Sequence, residues 1–223
     1  VTDFVGLSSW TETINLKNGD DQPSGTMATN TVTETAKAKP WPATFNTMAE
    51  NQRIDYDYGE TISYGGVFSQ LEYSTDNFSA FFQGSLSNQS HSRVDRYDYL
   101  PQDEKSEKVN NVGYNAKGGT SYKFAENHNV YVNAGYYSRQ PYHDNVYLNF
   151  TNAVNPLTEN EKILGLEAGY TFTSQIITAS VNAYRTSWKD RVTTSSNAAS
   201  AADIVKYPTL QTGDLIYKTN EGV

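Results

Sequence analysis

Between Asn110 and Arg191 apolar or small residues alternate with polar ones at a period of two. Tyr114, Ala116, Gly118, Thr120, Tyr122 and Phe124 fall on one side of an extended segment, with Asn115, Lys117, Ser121 and Lys123 on the other. After Glu126, Asn127 and His128 the pattern returns through Val130, Val132, Ala134 and Tyr136. Such alternation predicts strands with one apolar face, here joined as a hairpin. Two more hairpins follow the same rule. Upstream, an extended segment from Arg53 to Tyr73 carrying Val67 and Leu71 turns at Ser74 to Asn77 into Phe78, Ala80, Phe82, Gly84 and Leu86, opposed by Ser79, Gln83 and Ser85. Downstream, Leu164, Leu166, Ala168, Tyr170 and Phe172 turn at Thr173 to Gln175 into Ile177, Ala179, Val181 and Ala183.

The connections between these strands alternate in length. Turns at 74–77, 125–129 and 173–175 are short, whereas 91–108, 140–160 and 192–211 are long and read as external loops, as does 17–52 with its two prolines around Trp41. Phe4 to Leu16 reads as a strand before that first loop, the Ala run near 198–202 as a place for a short helix, and Thr212 to Lys218 as the start of one more strand. All short turns therefore lie at one end of the sheet. Tyr73, Phe78, Tyr122, Phe124, Tyr170 and Phe172 gather at that end, and Tyr114 marks the far end of its strand. At ~3.3 Å per residue and ~45° of tilt, Tyr114 to Phe124 rises about 25 Å, the height of the lipid-facing band of an outer-membrane barrel. Charges sit on the opposite face, at Glu72, Lys117, Lys123, Arg139 and Glu167.

Composition changes this picture little but excludes much. The 223 residues suffice for a large all-β domain, yet only 37% are hydrophobic, and mean hydropathy is −0.66. Seventeen Tyr, nine Phe and three Trp favour strands. A net charge of −8, with no basic stripe, argues against nucleic acid as a partner. There is no cysteine, so disulfide and thiol chemistry are excluded within these residues. No run of ~18 apolar residues supplies a transmembrane helix, whereas barrel strands hide in alternating patterns of low hydropathy.

Three groups of residues, in order, resemble a known family. Asn155, Pro156 and Leu157, then Glu161 and Lys162, then Leu166, Glu167, Gly169 and Tyr170 resemble a signature in the barrel of TonB-dependent outer-membrane receptors. Lys117, Gly118, Gly119 and Tyr122, with Asn127 to Val130, Ala134 to Tyr136, Ser138, Arg139 and Pro141, are similar to that family's preceding hairpin. Asn182, Tyr184, Arg185, Thr186, Trp188, Lys189 and Asp190 are similar to the strand that follows. The resemblance covers 60–191 best. It implies an all-β, antiparallel, up-and-down transmembrane barrel of about 22 strands, closed by a plug. It also implies uptake of a scarce iron chelate, vitamin or glycan with energy from TonB. About six to eight strands are visible here and no plug, so the chain reads as an incomplete segment of such a barrel. Outer-membrane lipid would surround it, and TonB and a plug would engage parts of the protein outside these residues.

Chemistry beyond transport is hard to find. His91, His128 and His143 fall on three separate connections, and only His143 has an adjacent carboxylate, Asp144, so they read as solvated rather than as a metal site. Asp55, Asp57, Gly59 and Glu60 miss the calcium-loop spacing by one place. Asp103, Glu104 and Glu107 interleave with Lys105 and Lys108 as a mixed-charge loop does, and the sequons at Asn77, Asn88 and Asn149 are expected by chance in a chain rich in Asn, Ser and Thr. Nucleophile and phosphate-loop signatures are missing, so the sequence predicts neither an enzyme nor a cofactor or metal site. Arg139, Tyr142, His143, Tyr147 and Trp188 stand where strands run into external loops and are the candidate ligand contacts, although Tyr and Trp at that height also serve as interface anchors. The competing reading is a soluble or surface-displayed β-sandwich that binds carbohydrate. It requires the apolar face to be buried against a second sheet.

Overall fold

The structure is a computed structural model that describes residues 6–36, 55–148, 150–212 and 215–220. The prolines around Trp41 and the sequon at Asn149 lie outside the described residues. Ten strands appear among them: β1 (Gly6–Lys17), β2 (Pro23–Ala36), β3 (Tyr58–Ser74), β4 (Phe78–Asp95), β5 (Val109–Ala125), β6 (His128–Arg139), β7 (Glu161–Thr173), β8 (Thr178–Lys189), β9 (Arg191–Ala198) and β10 (Leu215–Asn220). One short helix, α1 (Ala201–Lys206), occupies the Ala run, where Ser200 caps it by accepting from the Asp203 amide while Asp203 accepts from the Ser200 amide. Strands β3 to β8 form one six-stranded sheet in strict sequence order, β1 pairs with β2, and β9 pairs with β10.

The register of the large sheet shows why the alternation matters. Gly118 lies between Phe82 and Ala134, and Val132 between Thr120 and Ala168, so apolar and small residues of neighbouring strands share one face. Leu86, Tyr114, Val132, Leu166 and Val181 on that face are all about half exposed or more. Its polar counterpart is the shaded one: Asn115, Lys117, Asn133, Gly135 and Glu167 are buried or half-buried. Rings lie flat across this polar side because glycine leaves room for them. A side chain at Gly169 would collide with the Tyr131 ring, and one at Gly119 with Asn133 and Phe81. Tyr131 Oη donates to Glu167 Oε1 at 2.8 Å and Asn133 Nδ2 to Glu167 Oε2 at 3.2 Å, which satisfies the mid-strand carboxylate.

This burial is inverted relative to a water-soluble sheet. Six strands ~4.8 Å apart and about 25 Å high present roughly 700 Å² of face, more than the ~300–600 Å² of the largest apolar patch on a typical soluble monomer. A sandwich would have covered it. Three basic residues depart from the rule: Arg185 stands opposite Leu166 on the apolar face, and Lys162 and Lys189 pair across β7 and β8 at its long-connection end, where long stems can carry their charges toward the interface.

The connections follow the expected alternation. Residues 75–77, 126–127 and 174–177 are short, and 96–108 and 140–160 are long. At the short-turn end Phe124, His128, Tyr170 and Phe172 stack, with His128 ring centroids 5.3 Å from Phe124 and 5.1 Å from Phe172. His128 thus opens β6 within the aromatic belt rather than standing solvated in a connection.

Two segments expected as loops carry strands. Within 17–52, Pro23–Ala36 is β2, paired with β1 so that Trp10, Glu12 and Ile14 face Val32, Asn30 and Ala28. Thr11, Thr13, Thr29 and Thr31 occupy the exposed side of that hairpin, and their β-branching favours the extended backbone that the apolar count alone did not suggest. In the second, expected at 192–211, the chain continues as β9 after a single residue, Asp190, at φ 56°, whereas β10 falls where one more strand was expected to start.

The chain divides into two compact units. One comprises Val1–Thr61, Ser92–Lys108 and Thr151–Ala153, and the other the remaining residues. In the first, Tyr97 donates to Glu12 and Tyr99 to Asp21, while Tyr99 Oη accepts from the Asn152 amide at 2.8 Å. Burial, then the hydrogen bond to Glu12, pushes the Tyr97 phenol up to about 12, so it stays a donor at physiological pH.

Candidate functional site

The polar face of the second unit ends, on the long-connection side, in three side chains set by strand register. Arg139 closes β6 directly opposite Glu161, the first residue of β7, and Trp188 near the end of β8 lies opposite Ile163. A cross-strand Arg and Glu at this position attract each other, and Arg139 Nη2 forms an ion pair with Glu161 Oε2. Arg191 Nε stands 3.9 Å from Glu161 Oε1. Pro141 ends the run of β6, and the chain then folds Tyr142 back so that Arg139 Nη1 donates to Tyr142 Oη at 3.3 Å, with the guanidinium 5.0 Å from the ring centre. Arg191 lies 5.4 Å from the centre of the Trp188 ring.

These residues line a cleft of about 230 Å³ together with Gln140, Asn145, Glu159 and Asp190. Glu161 is 5% exposed, and its charge is held between the two guanidinium groups, with Arg139 on Oε2 and Arg191 beside Oε1. Lys162 reaches Glu159 at 3.5 Å and also pairs with Asp190, so charges in and beside the cleft are closely balanced. The lining comprises two aromatic rings, two guanidinium groups, two amides and three acceptor-only carboxylates.

Of the five candidate contacts, the structure brings Arg139, Tyr142 and Trp188 together at this cleft. His143 and Tyr147 lie elsewhere, buried inside the 140–160 connection. There His143 Nδ1 is 3.1 Å from His91 Nδ1, and Tyr147 Oη donates to the His91 carbonyl at 3.0 Å. The expectation that His91 and His143 are solvated on separate connections is therefore corrected: both are buried, and they form a pair. Loop packing over 52 residues of sequence brings them together, which no local pattern signals. His91 is held below the ordinary imidazole pKa, first by burial and then by His143.

The sequence reading missed Glu161 and Arg191 as site residues. The opposed charges of Arg139 and Glu161 were a usable signal once β6 and β7 were paired in register, whereas Arg191 enters through the backbone turn at Asp190. A second, larger cleft of about 420 Å³ lies in the first unit among Ile14, Leu16, Tyr97, Tyr99 and Pro101. Its Tyr97 and Tyr99 hydroxyls already bind carboxylates.

Comparison with known proteins agrees with the sheet. No curated protein and no solved structure matches the chain. The family described as TonB dependent receptor-like, beta-barrel, matches over residues 4–218. That span takes in every strand of the bare-faced sheet, the β1–β2 hairpin, β9 and the first part of β10, and so the chain belongs to this β-barrel family, whose members are outer-membrane transporters rather than enzymes.

Proposed function

We propose that this chain forms part of the wall of an outer-membrane receptor that takes up a scarce ligand with energy supplied by TonB, and that the cleft at Arg139, Tyr142 and Trp188 touches that ligand. The observation that carries the reading is the inverted sheet, whose bare apolar face suits hydrocarbon and whose hydrated face suits a lumen. The cleft belongs to the hydrated side at its long-connection end, where an incoming ligand arrives before the lumen. TonB and a plug act through residues other than these.

The test is uptake. Cells that carry or lack the receptor, with and without TonB, are supplied with limiting ferric chelates, cobalamin or oligosaccharides. One compound is expected to require both proteins. Trp188→Ala combined with Arg139→Ala is expected to weaken its binding by more than tenfold, from the ~2 kcal/mol typical of aromatic and Arg hot spots. Uptake that is indifferent to TonB rejects the transport reading, and binding that is indifferent to the double variant rejects the cleft.

A further inference from the structure

We infer that the long-connection end of the apolar face binds the phosphorylated headgroup of an outer-leaflet lipid through Arg185, Ser187 and Lys189 of β8; this rests on that face meeting lipid, as proposed above. The three residues stand opposite Leu166, Leu164 and Lys162 of β7. Occupying alternate positions of one strand, they share the apolar face and make a column of guanidinium, hydroxyl and ammonium donors. From Phe172 to Lys162, β7 rises about 23 Å at ~3.3 Å per residue and ~45° of tilt, which brings Lys189 to the outer rim of a lipid-facing band about 25 Å tall. Arg185 starts lower, and its stem lifts the guanidinium toward the same rim. Tyr114 and Tyr136, stacked at 6.1 Å on the neighbouring strands, mark that height.

The placement of charge is one-sided. At the short-turn end the same face carries Phe78, Tyr122, His128, Tyr170 and Phe172, and no Lys or Arg among the described residues. Cations on a lipid-facing strand cost stability, and two of them directly opposite each other, as Lys162 and Lys189 are, also repel. Lys162 is neutralised by Asp190 at 2.5 Å and Glu159 at 3.5 Å. Arg185 and Lys189, both exposed, have no acidic partner among the described residues, in a chain whose net charge is −8. An anion held at the membrane surface compensates them. Phosphate suits the donors, since a guanidinium forks two of its oxygens, an ammonium meets it as a point charge and the Ser187 hydroxyl donates once more. A free anion would leave the apolar surface beside these cations bare. A lipid sets its phosphate at the rim and its chains along Leu164, Leu166 and Ala168, so one molecule matches both the charge and the hydrocarbon.

The experiment uses the receptor carrying this chain, purified in detergent and titrated with lipid A bearing two phosphates, with dephosphorylated lipid A and with phosphatidylcholine, the bound lipid being counted by native mass spectrometry. The phosphorylated lipid is expected to bind at least tenfold more tightly than the other two. Arg185→Gln and Lys189→Gln are each expected to weaken it about fivefold, the worth of one basic residue at a charged membrane surface, and together about twenty-five-fold. Arg185→Lys with Lys189→Arg keeps both charges and is expected to retain most of the affinity, which a loss of folding would not allow. Equal binding of phosphorylated and dephosphorylated lipid A overturns the inference and leaves the lipid-facing sheet standing, as does binding indifferent to the double Gln variant. Displacement of the lipid by an equal concentration of inorganic phosphate overturns it in favour of a free-anion site. Failure of all three lipids to bind overturns it together with the lipid-facing reading.

Discussion

At the scale of single residues, the burial of His91 beside His143 makes this part of the second unit sensitive to acid. Two imidazoles 3.1 Å apart share one hydrogen bond only while at least one ring nitrogen is unprotonated. Burial lowers the folded-state pKa of His91, so below its unfolded value of about 6.5 the unfolded chain binds more protons than the folded one. Stability from this site is therefore complete above about pH 6.5 and is lost as pH falls toward the depressed folded value. Protection of amides in the 140–160 connection, measured against the intrinsic exchange rate at each pH, is expected to fall between pH 7 and pH 5, and His91→Gln is expected to flatten that dependence. An equal loss of protection in the variant would remove the pair as its cause. Arg139, Tyr142 and Trp188 were legible as candidate contacts because strand parity and position at a strand end place a side chain without tertiary knowledge. His91, His143 and Tyr147 were not placed correctly, because their surroundings are made by loop packing rather than by a repeating backbone.

At the scale of strands, the solvent on each face sets the cost of a charge. Val132 lies near the middle of β6 on the bare face and Asn133 on the shaded one. Val132→Arg is expected to destabilise by about 2–4 kcal/mol, as a charge does at the midplane of a lipid-facing strand, while Asn133→Lys changes stability far less. Urea unfolding in lipid vesicles measures both. Comparable losses would mean that the two faces meet the same solvent. Strands of the large sheet were legible because Gly, Ala, Val and Leu contrast with Asn, Lys and Glu at every second position. In β2 and β9 the contrast fades into Thr, Ser and Asn on both sides, and only β-branching marks the extended backbone.

For the whole molecule, the alternation of short and long connections makes a claim about sidedness. Consecutive pairing from β3 to β8 puts every short turn at one end of the sheet and every long connection at the other, whatever the side chains do. In outer-membrane barrels the short turns face the periplasm and the long loops face outward. The length pattern was legible in the sequence, since Pro, Asn and charged residues fill 96–108 and 140–160 while two to four residues suffice at the other end. The 223 residues contain no cysteine, so an introduced thiol is unique within them and reports its own side. Tyr142→Cys, exposed at the cleft, is expected to react with a membrane-impermeant maleimide in intact cells. Asn127→Cys and Gln175→Cys, in the short turns, are expected to react only after the outer membrane is opened. Labelling of all three in intact cells would contradict a spanning sheet, and the reverse order would invert it, moving the Glu161 cleft to the periplasmic side where it could not meet an incoming ligand first.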